Sequence, residues 1–313
     1  MHMRRLVKAG QASHTVSLPK SWIDKNSLKK GDTLYIVEKS ESEIIITPNI
    51  KEEKAVQKEI IIEIDGKDMG SIQREITSAY VNNYSKIHLS GKSVEDKAKA
   101  LRNVIHHFVA LEVDEQTSSK ISAQDLLNLS EISIEKTIRR MDMTLRSIIQ
   151  DSIKFIGNKN VKESIEQRVN DVNRLYFLLF RLLKSALNNQ KIANNFKITN
   201  DGILSTWYLT VNIENIADNA KTINALADKI NDKELLSSAY HDIERAYLDV
   251  MKAYYNKDRK LADEVASRRI EIFTKCSQLL IKTPTAGAAE VIENLRAMTT
   301  NICNVARIVI DSE

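Results

Sequence analysis

The chain has 313 residues, 42% of them hydrophobic and 28% charged, with a formal net charge of +4. These are the proportions of an ordinary globular protein of two or three domains. No apolar run approaches the roughly eighteen residues of a membrane span, and Met-His-Met-Arg-Arg at the start lacks the apolar core of a signal peptide. The two cysteines, Cys276 and Cys303, form no C-x-x-C pair, which excludes a disulfide framework and fits a reducing cytoplasmic interior without membrane insertion.

Residues 1–50 predict a strand, a short helix opened by Pro19, a turn at Gly31-Asp32 and a second strand through Leu34-Tyr-Ile-Val37. The first thirty residues hold Arg4, Arg5, Lys8, Lys20, Lys25, Lys29 and Lys30 against Asp24 alone, a net of +6. The remainder of the chain therefore sums to −2, so the positive charge is confined to the head. A basic head on a mildly acidic body is a footprint for a phosphate backbone. Lys25, Lys29 and Lys30 also suit a role in solubility alone. Arg4, Arg5, Lys8, His14 and Lys20, on and around the first strand and the helix start, are the DNA-binding candidates. So small a unit has no cysteine or metal to staple it, and small domains of this kind usually close their core by pairing. A homodimer is expected, with roughly twelve positive charges on its composite face.

After Pro48 and the charged linker Lys51-Glu-Glu-Lys54, residues 51–121 read as βαβαβ. The strands are the β-branched run Glu59–Asp65, then Lys86–Ser90, then one beginning at Leu111. Between them, Ile72, Ile76, Ala79 and Tyr80, and later Leu101, Ile105 and Phe108, recur at helical spacing. The order suggests a small sheet covered by two helices. His106 and His107 are neighbours on a helix and do not face one another, so packing or surface suits them better than metal ligation.

From Leu126 onward there are one proline and three glycines, the mark of long helices. Residues 122–313 predict six: 123–156, 161–194, 203–230, 233–255, 259–280 and 288–310. They suggest two three-helix bundles in series, 122–231 and 232–313. An internal repeat supports this, because Ile213, Ile216, Ala220 and Ile223 lie over Leu295, Met298, Ile302 and Val305. The predicted fold is thus multi-domain α+β.

Glu214 and Asp218 sit one turn apart on the third helix, on a stripe that also holds Leu204, Trp207 and Val211. Like charges so placed need a counter-ion or full solvation. Oxygen ligands favour a hard cation or a carboxylate-bridged iron or manganese. A solvated edge balanced by Arg174 or Lys221 is the alternative.

Two resemblances follow from these residues. The T-V-S-L-P-K strand at 15–20 with L-x-x-G-D-x-L at 28–34 resembles the SpoVT/AbrB swapped-hairpin DNA-binding domain, a half-barrel that interlocks with its copy. Glu214-Asn-Ile-Ala-Asp218 and Arg168-Val-Asn-Asp-Val-Asn-Arg-Leu-Tyr-Phe-Leu178 resemble the third- and second-helix patterns of PhoU bundles. The ordered combination resembles archaeal PhoU-like phosphate uptake regulators over essentially the whole chain. That resemblance implies regulation of phosphate homeostasis, action with a phosphate transporter or its signalling machinery, and a metal (iron, manganese or zinc) at one carboxylate cluster. Asp171 and Glu166 would add ligands to Glu214 and Asp218. Asn173 stands where that family has an acid, and Arg296 and Thr300 replace the acidic pair in the second half, so a second cluster is expected to be lost. Other functions compatible with the sequence are an AbrB-type regulator sensing another ligand, an antitoxin using the same head, and a bundle metalloenzyme. None of the six histidines has a Glu three residues before it, as di-iron bundles would require, and no catalytic residue is assigned.

Overall fold

A computed structural model describes residues 3–10, 13–40, 43–48, 58–154 and 159–312. The linker at 51–54 lies outside them. The chain forms two compact units, residues 1–56 and 57–313.

In the first unit, β1 (Val7–Lys8) pairs antiparallel with β2 (His14–Thr15), Lys8 opposite His14. Pro19, at φ −62°, precedes α1 (Lys20–Lys25) and accepts its first amide bond from Trp22. The Gly31-Asp32 turn forms as its residues predict: Gly31 takes φ +101°, and the Asp32 carboxylate accepts from the Lys29 amide at 2.7 Å. The strand that follows is one arm of a hairpin, β3 (Tyr35–Ser40) with β4 (Glu43–Thr47). Among the residues of this unit whose burial is described none is buried, and Leu6, Val7, Ile36 and Ile44 are mostly exposed.

The second unit begins with β5 (Glu59–Glu63), α2 (Met69–Val81), β6 (Lys86–Ser90), α3 (Val94–His106), β7 (Leu111–Gln116) and β8 (Lys120–Asp125). The sheet order is β5-β6-β8-β7, with β5 and β6 parallel and the other pairs antiparallel. Here the structure corrects the sequence reading. Residues 123–125, expected to start a helix, end a fourth strand, because β8 fills the slot between β6 and β7. Its inward Ile121 and Ala123 join Ile62, Ile64, Ile72, Ile76, Leu89, Leu101 and Phe108 in one core. Asp65 ties the end of β5 to the start of α3. It accepts from the amides of Lys92 and Ser93, which hold its carboxyl down at about 2.

The helical part comprises α4 (Ile134–Lys154), α5 (Lys159–Asn188), α6 (Gln190–Phe196), α7 (Asn200–Leu226), α8 (Lys233–Asn256), α9 (Arg259–Ser267), α10 (Arg269–Lys282) and α11 (Ala286–Asp311). Eight helices stand, among the described residues, where six were expected. Asn189 breaks the second by capping the amides of Lys191 and Ile192, and the fifth breaks at Arg268. Thr199, Asp232, Asp258 and Thr285 cap α7, α8, α9 and α11 through their side chains.

The two halves share one continuous core, drawn from α4 and α5 at one end to α9, α10 and α11 at the other. At their seam α7 and α11 run antiparallel. Asn304 Nδ2 donates to Asn212 Oδ1 at 3.0 Å, and the single 3-10 turn Ala227–Lys229 after α7 brings Lys229 onto Gly287, where an added Cβ would lie 2.9 Å from the lysine chain. All eight apolar residues of the proposed repeat are buried along this seam. The α/β layer is fastened to α5 by Arg181, which is 3% exposed. It pairs with both oxygens of Asp125, donates to Asn83 Oδ1 at 2.7 Å and lies 4.7 Å above the Tyr80 ring. No helix among the described residues is long and apolar enough to cross a membrane.

Candidate nucleic-acid interface

Lys8 and His14 face each other across the β1–β2 ladder, so their side chains share one face of the hairpin. Arg4 and Arg5 lie in the extended segment just before β1, and Lys20 opens α1. All five are exposed. Among the described residues none of the four cations is paired with a carboxylate; the Arg4 guanidinium reaches only the neighbouring Met3 carbonyl, at 3.4 Å. Their charge is therefore free for an external anion, with no internal ion pair to break first.

The acidic stripe of α7 is assembled differently from the expected cluster. Leu183 packs with Ile203, and Lys162 Nζ donates to the Ala225 carbonyl, so α5 and α7 are antiparallel and Glu214 lies level with Asn173. Glu214 is half-buried. Burial first, and the neighbouring Asp218 charge second, push its carboxyl up to about 7. Tyr176 on α5 is raised by its own burial and by the Glu214 charge, which places it beside that carboxyl. Asp218, Glu166 and Asp171 are exposed, and Asp171 lies 4.0 Å from Arg174. Among the described residues no three His, Cys, Asp or Glu side chains converge as a metal site would need. As arranged, the four carboxylates do not fit a metal: Glu214 and Asp218 come together, and Asp171 and Glu166 do not join them.

In the second half Arg296 folds over α10, donating to Ser277 Oγ at 3.0 Å with its guanidinium 5.6 Å from the Phe273 ring. His107 packs edge-on against Phe108 and Phe177, its pKa lowered by burial and by Arg174, while His106 lies 3.6 Å from Glu112.

Two constellations were not visible in the sequence. Asp142, 3% exposed, accepts from Arg146 Nε and Nη2 at 2.9 Å each, from Tyr247 OH at 2.9 Å and from Tyr255 OH at 3.1 Å. The Arg146 spacing of four residues was readable; the tyrosines lie more than a hundred residues away. On the sheet, His88 bonds Ser122 Oγ at 2.8 Å through Nδ1 and approaches Glu59 at 3.5 Å through Nε2. The pattern has the residue types of a nucleophilic triad, but Ser122 is 1% exposed and no substrate reaches it. It is a cross-strand polar network.

Residues 12–54 match the family described as antidote-toxin recognition MazE, bacterial antitoxin. No curated protein and no solved structure matches the chain. The head of this protein thus carries a MazE/AbrB-like domain, and the likeness ends near the point where the first unit ends.

Proposed function

We propose that the protein is a DNA-binding regulator that acts as a homodimer through its N-terminal unit, with the helical body as its sensing and docking module. The observation that carries this reading is the pairing of two properties in one small unit. Arg4, Arg5, Lys8 and Lys20 have no carboxylate partner among the described residues, and Leu6, Val7, Ile36 and Ile44 are exposed. MazE/AbrB-like domains bind DNA and often act as dimers. Each aliphatic side chain such as Ile36 or Ile44 moved from water into a dimer core contributes roughly 1.5–3 kcal/mol. Interlocking two heads therefore supplies the core and places both basic faces on one surface.

The finer reading rests on the likeness of the helices to PhoU bundles. On it, the signal belongs to phosphate homeostasis and the partner is a phosphate transporter or its signalling machinery. The succession of long helices and the Glu214-x-x-x-Asp218 pattern support it. The reading assigns no catalytic step to the protein. The name of the matched family supports a second reading, an antitoxin whose head engages a toxin.

The test uses the full chain. Affinity for DNA fragments from around its own gene is measured over a range of salt concentrations. Binding should weaken steeply with salt, and Arg4→Ala, Arg5→Ala, Lys8→Ala and Lys20→Ala should each lower the log–log slope by about one. A monomer in sedimentation, or an affinity indifferent to salt and to all four changes, would remove the basis for this function. Co-purification with a toxin together with loss of DNA binding in its absence favours the antitoxin reading.

A further inference from the structure

At one pole of the helical body, α4 begins, α6 turns into α7, and α8 and α11 end. These four segments enclose a cleft of about 830 Å³, within the size range of small-molecule sites. Its walls are apolar where Ile138, Phe196, Ile308 and Val309 line it, and one side is aromatic. Tyr254 and Tyr255 meet edge-to-face at 5.5 Å. The Tyr255 hydroxyl is anchored on buried Asp142, and the Arg139 guanidinium stands 4.4 Å over its ring. That wall is therefore held in place before any ligand arrives.

Three polar features converge on the same space. Thr206, only 8% exposed, lines the cleft and its hydroxyl bonds to no other described residue. That hydroxyl is therefore available to a ligand as both donor and acceptor. Lys197 caps α6 and Lys257 caps α8, both in the left-handed region at φ +52° and +53°, and both line the cleft. Glycine takes that conformation without strain and lysine does not. Two lysines thus stand at the rim of one cleft, both exposed. Neither is in an ion pair among the described residues.

The charge balance selects the ligand class. Arg139, Lys197 and Lys257 line the cleft together with Glu135, Asp201 and Asp311. Arg139 is taken by Glu135 at 3.0 Å, which leaves two ammonium groups and two carboxylates unpaired among the described residues. A simple anion would meet the acids, and a simple cation the lysines. We propose that this cleft binds a small zwitterion of the amino-acid class with a large apolar side chain. Its carboxylate faces Lys197, Lys257 and Thr206, its ammonium faces Asp201 and Asp311, and its side chain lies against the tyrosine wall. Bound there, it joins four chain segments and is an effector of the body, independent of how the head engages DNA.

Thermal unfolding of the full chain tests this, with millimolar concentrations of each standard amino acid and, as a comparison, inorganic phosphate. One or a few large apolar amino acids should raise the Tm by roughly 2–4 °C by binding the folded state alone, and phosphate should not. Lys197→Gly and Lys257→Gly should raise the ligand-free Tm by relieving the left-handed strain, yet remove the ligand shift. Asp311→Asn should weaken the shift and leave the ligand-free Tm in place. Lysines that serve only as helix caps would give the first effect of the glycine variants without the second. The proposal is overturned if no amino acid moves the Tm, if phosphate alone does, or if both glycine variants keep the full ligand shift.

Discussion

Glu214→Gln keeps the size of the side chain and removes its ionisation, and the consequence depends on pH in a way the structure fixes. In the folded chain burial, and then Asp218, hold the Glu214 carboxyl near 7, against an ordinary value of 4.5. Between those two pH values the unfolded chain has released a proton that the folded chain still keeps. Ionisation therefore favours unfolding: the penalty is absent below about 4.5, grows as pH rises and is complete above about 7. The full difference would be worth roughly 3 kcal/mol. Because Glu214 is only half-buried, solvent screening leaves about 1–2 kcal/mol. Glu214→Gln should thus match the parent chain near pH 4.5 and exceed it by about 1–2 kcal/mol at pH 8. Urea unfolding at both pH values, followed by helical circular dichroism, reads this as a shift in midpoint at constant slope. Asp218→Asn should recover part of the same gain, since it removes the second cause of the shift. An equal effect at the two pH values, or a loss of stability at pH 8, would refute the assignment. A divalent cation held by the pair would reverse the sign by favouring the charged form. The same titration with added manganese therefore tests the metal site that the PhoU resemblance implies.

Removing Arg181 should be far more damaging than removing a surface cation. Arg181→Ala leaves Asp125 charged between the α/β layer and α5 and should cost about 3–5 kcal/mol in urea unfolding, whereas Arg181→Met with Asp125→Leu should recover most of the loss. Asp142→Ala strands Arg146 and two tyrosine hydroxyls and should cost at least about 3 kcal/mol, with Tyr247→Phe nearer to 1 kcal/mol. A Tyr247→Phe loss as large as that of Asp142→Ala would show that the carboxylate is not the centre of the network.

The basic head, the turn at Gly31-Asp32, the βαβ order and the long helices were legible because each is written in neighbouring residues. Breakers are scarce after Leu126, and apolar residues recur every three or four positions. Caps at Asp232 and Asp258 begin α8 and α9 where the sequence reading placed their starts. Residues 123–125 deceived that reading because Ala123 and the apolar residues after it suit a helix locally. Only the vacancy between β6 and β7, which two distant segments create, makes them a strand. The acidic cluster failed to gather for a similar reason. Glu214 and Asp218 share a face by helical geometry, but whether Asp171 and Glu166 join them depends on the register and rotation of α5 against α7, which Lys162 and the Leu183–Ile203 contact set. The Tyr247 and Tyr255 bonds to Asp142, and the meeting of Lys197 with Lys257 at one cleft, arise in the same way. Apart from β8, the sequence by itself determined the main strands, the long helices and where the charge lies, since these depend on residues within a turn or two of each other. Only the tertiary structure decided which side chains meet, because that follows from packing surfaces the chain brings together after those elements exist.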